Sequence, residues 1–173
     1  IVVECLRDVG FKADHLLGVG HTLPRLKAGG FTARELRTAG LDATALRHVG
    51  FDAGELREGG YAAKEVKAAK FLTDELRAGS YTATALKSVG YAADELKRGG
   101  YGAAELKEAG FSVKELKPPL YGADALREAG YTAQALRDAR LSLDELRQGG
   151  YSTAELRQAG YHASEMRVVG FGA

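Results

Sequence analysis

Apolar residues recur along this chain every five positions, and nearly every second one is aromatic. The decad at residues 31–40 shows the unit, with Phe31 at position one, Leu36 at position six and Gly40 at position ten. The chain contains seventeen such decads. All fourteen aromatic residues occupy position one, Leu occupies position six in fifteen decads, and Lys or Arg occupies position seven in sixteen. A short unit repeated this strictly is typical of tandem-repeat proteins.

Each decad carries signals for both ends of a short helix. Thr32 at position two is a good N-cap, and Glu35 three residues later completes a capping box. Gly40 stands where a left-handed residue ends a helix, and thirteen of the seventeen decads have Gly there. The basic residue at position seven falls in the last turn, where it complements the helix dipole. The pattern therefore predicts one capped two-turn helix per decad.

The aromatic residue serves two helices in this interpretation. Phe31 follows one helix and precedes the next, so it can pack on both Leu26 and Leu36. A pentapeptide β-helix shares the five-residue spacing, but it needs a small residue two before the Leu, where this chain places Arg34 and other charged residues. We therefore predict a helical ladder. Its members include Phe31, Leu36, Phe51, Leu56, Tyr81, Leu86, Tyr91, Leu96, Tyr101, Leu106, Tyr131 and Leu136.

The predicted fold is an all-α solenoid, coiled into a superhelical rod of about seventeen short helices. Residues 1–173 form a single array in this prediction, with degenerate repeats at 1–30 and regular repeats at 31–117 and 121–173. Pro118 and Pro119 cannot continue a helix, so we expect a kink or a differently shaped turn at 117–120. Positions one, five and nine show no alternation with a period of twenty, which indicates that the unit is one helix and one turn.

Composition argues against several kinds of function. The net charge of +1 gives no strong attraction to nucleic acid or to an anionic membrane, and no apolar run is long enough to span a bilayer. Cys5 is the single cysteine, which excludes an intramolecular disulfide. We find no catalytic motif, and we predict no catalytic residue, no metal site and no cofactor. The histidines fall at unrelated decad positions without the spacing of a helical metal site: His15, His21, His48 and His162.

The basic residues at position seven form the most suggestive surface feature. They could bind a polyanion along the array, or they could interleave with position-five Glu from neighbouring repeats as a solvated charge ladder. Near-neutral charge favours the second interpretation. The candidate interaction stripe comprises Arg37, Arg47, Arg57, Lys67, Arg77, Lys87, Lys97 and Lys107.

The decads, written Gly-aromatic-(Thr/Ser)-Ala-x-Glu-Leu-(Arg/Lys), resemble the short-helix decapeptide tandem repeats of microbial eukaryotes. The resemblance covers the whole chain and implies no activity. From the architecture we expect a non-enzymatic scaffold or linker that belongs to a larger assembly and binds other proteins along its surface or at its uncapped ends. Two alternatives remain open. One is a polyanion-binding or nucleic-acid-binding rod, and the other is an accessory module of a longer enzyme.

Overall fold

The computed structural model describes residues 3–170, with side chains from residue 6 onward. Cys5 and the position-one aromatic Phe171 lie outside the described side chains. These residues contain seventeen short helices and no strand, which confirms the all-α repeat architecture. The helices are α1 Val3–Asp8, α2 Ala13–Gly18, α3 Leu23–Ala28, α4 Ala33–Thr38, α5 Ala43–His48, α6 Ala53–Glu58, α7 Ala63–Ala68, α8 Thr73–Ala78, α9 Ala83–Ser88, α10 Ala93–Arg98, α11 Ala103–Glu108, α12 Val113–Leu116, α13 Ala123–Glu128, α14 Ala133–Asp138, α15 Leu143–Gln148, α16 Thr153–Gln158 and α17 Ala163–Val168.

Each helix begins at position three, and in the ten decads with Glu at position five that carboxylate caps its start. In α4, the Glu35 carboxylate accepts a hydrogen bond from Thr32 N at 2.7 Å, and Thr32 Oγ1 accepts one from Glu35 N at 3.3 Å. Position two need not be polar for the first bond, since Leu72 N donates to Glu75 at 2.6 Å. Burial raises the pKa of Glu35, but hydrogen bonds from Thr32 and Arg7 outweigh burial and lower that pKa overall.

The helix ends follow one hydrogen-bond pattern. Gly40 N donates to Arg37 O at 2.9 Å and Leu41 N donates to Leu36 O at 3.1 Å, the two bonds of a Schellman motif. Gly40 has a φ of +86°, in the left-handed region. Three of the decads without Gly at position ten keep this conformation with a side chain present, at Lys70, Ser80 and Arg140. The turn geometry is therefore set by the repeat and not by glycine alone.

The turn at 117–120 has a different shape but the same length. Helix α12 stops at Leu116, and the Pro118–Pro119 peptide bond is cis. Leu120 N still donates to Lys117 O at 3.0 Å, and Tyr121 N donates to Leu116 O at 2.9 Å. Because both bonds of the helix-end motif survive, the decad register continues through the prolines.

The chain forms two compact units, residues 1–90 and residues 91–173. Within each unit a helix packs against the helix two decads away, as α4 does with α6 in the first and α13 with α15 in the second. Each unit therefore coils with twenty residues per turn, although the sequence repeats every ten. The position-six Leu residues are completely buried between the turns, from Leu26 to Leu156.

Small residues at positions three and nine set the spacing between the turns. A Cβ added to Gly79 would lie 2.6 Å from the carbonyl carbon of Ala53, and one added to Gly149 would lie 2.6 Å from the Ala123 Cβ. Both distances are shorter than van der Waals contact. The end of one helix is thus pressed against the start of the helix two decads earlier, and a glycine there permits the approach.

Candidate interaction surface

The basic residue at position seven reaches the end of the helix two decads ahead. Lys107 Nζ donates to Ala129 O at 3.1 Å and to Gly130 O at 2.7 Å, and lies 4.9 Å from the centre of the Tyr131 ring. Carbonyls at a helix C-terminus have no partner within the helix and carry its partial negative charge. The ammonium group therefore satisfies them and also gains a cation–π contact.

In residues 1–90 the same side chain also meets a glutamate. Arg47 donates to Ala69 O at 2.7 Å, lies 4.6 Å from the centre of the Phe71 ring and lies 3.3 Å from the Glu75 carboxylate. Glu75 is at position five, so these ion pairs match the charge ladder described for the stripe. The equivalent ion pairs are Arg7–Glu35, Lys27–Glu55 and Arg37–Glu65.

The candidate interaction stripe is thus engaged with the fold at many of its positions. Backbone carbonyls accept hydrogen bonds from these members of the stripe: Arg37, Arg47, Lys67, Lys97 and Lys107. The Arg57 and Arg77 side chains are exposed, and Lys87 is half-buried. Binding of an external partner by this stripe stays a prediction.

The ladder residues lie in the interior of the array. Tyr131 is half-buried, and the remaining members of the ladder are buried, namely Phe31, Leu36, Phe51, Leu56, Tyr81, Leu86, Tyr91, Leu96, Tyr101, Leu106 and Leu136. The sequence reasoning missed the use of the tyrosine hydroxyls. Tyr81 OH donates to Tyr61 O at 2.8 Å, and Tyr151 OH donates to Tyr131 O at 2.7 Å. Burial raises the pKa of Tyr81 and of Tyr151 to about 12.

The remaining surface is formed by positions two, four and eight. In residues 11–90 these side chains are exposed or half-buried. Position four differs between every pair of adjacent decads there, in the order Asp14, Pro24, Arg34, Thr44, Gly54, Lys64, Asp74 and Thr84. The positions that vary least thus build the frame, and the variable ones face the solvent.

Three of the grooves in the described part of the chain open on the face formed by the even-numbered decads up to residue 90. Each lies between the start of one helix and the end of the helix two decads later, over position-one Phe rings. The largest, which we call the 47–79 groove, has a volume of about 660 Å³. Its neighbour, the 27–59 groove, has about 500 Å³, and the groove over Phe11 and Phe31 has about 330 Å³.

The repeat has a counterpart among known protein families. The family model for a decapeptide repeat region matches residues 2–73, 50–119 and 121–173. The chain belongs to this decapeptide repeat family. No curated protein and no solved structure matches it. Family membership accounts for the frame of the repeat and leaves the variable surface positions to be interpreted from their own chemistry.

The described residues of this decapeptide repeat protein contain no group of three or more potential metal ligands. His48 Nδ1 lies 2.8 Å from Thr44 O, and the buried Nδ1 of His21 has no hydrogen-bond partner among the described residues. None of the described helices is long and apolar enough to cross a membrane. The grooves and the variable positions beside them are therefore the surface features that remain to be explained.

Proposed function

We propose that this protein is a non-enzymatic scaffold that binds other proteins through the exposed variable positions of its repeats. The observation that supports this proposal is that packing residues and variable surface residues occupy different positions of the decad. Positions one, three, six and nine are occupied mainly by packing between repeats, and position seven donates to helix ends. Positions four and eight are then free to vary with little effect on these contacts, which is how extended repeat surfaces acquire specificity.

The contacts of the basic residues favour a protein partner over a polyanion. A phosphate-binding track needs cations directed at the solvent. Lys107 and Arg47 instead direct their charges at backbone carbonyls and at a neighbouring ring. A polyanion would have to compete with these contacts wherever they form.

A surface-shuffled variant tests the proposal. Its position-four and position-eight residues are exchanged between decads, with Pro24 and Pro118 left in place, so that composition, charge and frame are kept. We expect the variant to melt like the parent by circular dichroism and to lose the partners that cross-link to the parent in its own cell extract. If both proteins cross-link to the same partners, the variable positions do not carry the function. Partners that are displaced by heparin with a steep salt dependence would indicate polyanion binding instead.

A further inference from the structure

The 47–79 groove and the 27–59 groove are built from the same parts, twenty residues apart. Phe31 and Phe51 lie in the 27–59 groove where Phe51 and Phe71 lie in the other. Lys27 and Glu55 correspond in the same way to Arg47 and Glu75. The two grooves can therefore be compared position by position.

They differ at position four. In the 27–59 groove, Arg34 extends across from α4, and its Nη2 donates to Glu58 O at 2.9 Å. In the 47–79 groove the same position is Gly54, which has no side chain to reach the equivalent acceptor, Ala78 O. Ala78 is the last residue of α8, where helix carbonyls lack intrahelical partners and attract cations. One groove thus carries its own guanidinium and the other does not.

The lining of the 27–59 groove has as many basic as acidic side chains, whereas the lining of the 47–79 groove has more acidic than basic ones. In the 27–59 groove Lys27 pairs with Glu55, and Arg34 donates to the backbone carbonyl of Glu58. The 47–79 groove has only Arg47, which already pairs with Glu75. Its carboxylates are Asp52, Glu55, Glu58 and Glu75, of which Glu55 and Glu58 also line the 27–59 groove; Glu55 pairs with Lys27, and Asp52 accepts the capping hydrogen bond from Glu55 N. The Glu58 side chain is exposed and makes no hydrogen bond or ion pair in the described part of the chain.

We propose that the 47–79 groove binds an arginine side chain of a protein partner, which takes the place that Arg34 fills in the 27–59 groove. The guanidinium donates to Ala78 O and faces the Glu58 carboxylate, while its aliphatic stem covers Ala53 and the Phe51 ring. A planar guanidinium with several donors suits a carbonyl and a carboxylate together better than an ammonium group does. This assignment rests on the proposed function, since it names one partner contact of the same surface.

An NMR titration of the full chain tests the assignment. The probes are acetyl-Gly-Arg-Gly-amide and its citrulline and lysine counterparts, followed through the backbone amides of Gly54 and Gly79. Citrulline keeps the shape of arginine and removes the charge. We expect saturable shifts with the arginine peptide and about tenfold or more weaker binding of the citrulline peptide, as is typical when a charged hydrogen bond is lost. The lysine peptide should also bind more weakly than the arginine peptide.

Two variants at one position provide the matched control. Gly54→Arg supplies the guanidinium from within the chain and should abolish binding of the arginine peptide. Gly54→Ala introduces the same Cβ, which lies 3.2 Å from Asp52 Oδ1, but leaves the groove open and should keep the binding. Equal loss in both variants would overturn the assignment, as would equal binding of the citrulline or lysine peptide, or unchanged binding by Gly54→Arg.

The peptide titration and the surface-shuffled variant test the groove assignment and the scaffold proposal separately. If the arginine peptide does not bind while the surface-shuffled variant still loses the partners of the parent, the groove assignment is wrong and the scaffold proposal stands. If shuffling has no effect on the partners, the scaffold proposal fails whatever the peptide does.

Discussion

The tyrosine hydroxyls offer a sharp test of the packing between turns. Tyr81 is only 6% exposed, and its hydroxyl donates to Tyr61 O at 2.8 Å. Tyr81→Phe removes that bond and leaves the carbonyl without this donor, which should lower the free energy of unfolding by about 1–2 kcal/mol. Tyr81→Ala also removes a buried ring and should cost about 3–5 kcal/mol. The order of the two variants follows from the structure, because Phe keeps the ring and Ala does not.

Tyr161 supplies the control within the same chain. It stands at the same decad position with Arg137 over its ring at 4.7 Å, but its hydroxyl makes no hydrogen bond in the described residues. Tyr161→Phe should therefore be nearly neutral. Urea unfolding followed by circular dichroism measures all three variants. Equal costs for Tyr81→Phe and Tyr161→Phe would refute the claim that the hydroxyl bond, and not the ring alone, holds adjacent turns together.

Three further predictions concern other contacts of the frame. Gly79→Ala places a Cβ 2.6 Å from the Ala53 carbonyl carbon and should cost about 1–3 kcal/mol, whereas Gly18→Ala, with open space around the Cβ, should be neutral or stabilising in thermal melts. Lys107→Met should lower stability by about 1–2 kcal/mol in urea. Arg157→Met should not, because the Arg157 side chain is exposed and makes no hydrogen bond, ion pair or ring contact in the described residues. Stability should fall as pH rises from 10 to about 12. Burial raises the pKa of Tyr81 and of Tyr151, so these side chains stay protonated in the folded state at a pH where the unfolded state has already lost their protons. The fall should be smaller in Tyr151→Phe, and an equally large fall in that variant would contradict the burial of the Tyr151 hydroxyl.

The local structure of the decad was predictable from its sequence because its determinants lie within ten residues. Thr32, Glu35 and Gly40 act on backbone groups of their own decad, and the structure places them at the two ends of α4. The helix itself spans six residues, Ala33–Thr38, and positions two and nine serve as its caps. Such near-neighbour rules need no knowledge of the tertiary fold.

The contacts between decads could not be derived in this way. Their period is twenty, and nothing in the sequence alternates with that period at the frame positions. The angle of each turn decides which helix Lys107 or Tyr81 will reach. The repeated pattern predicts that such side chains contact a neighbouring repeat, but it does not say which one. The candidate groove was missed for the same reason, since Arg34 and Gly54 look unrelated until packing places them in equivalent surroundings.

A ten-residue sequence period and a twenty-residue packing period together define how this protein presents its surface. Decads that follow each other along the chain face different sides of a unit, whereas decads twenty residues apart share a face. Arg34, Gly54 and Asp74 therefore belong to one face, and Thr44 and Lys64 belong to the other. A change at one variable position alters the groove that it lines, as the difference between Arg34 and Gly54 shows. Each unit can thus carry two independent series of surface residues on one invariant frame, which is the property that a scaffold for more than one partner requires.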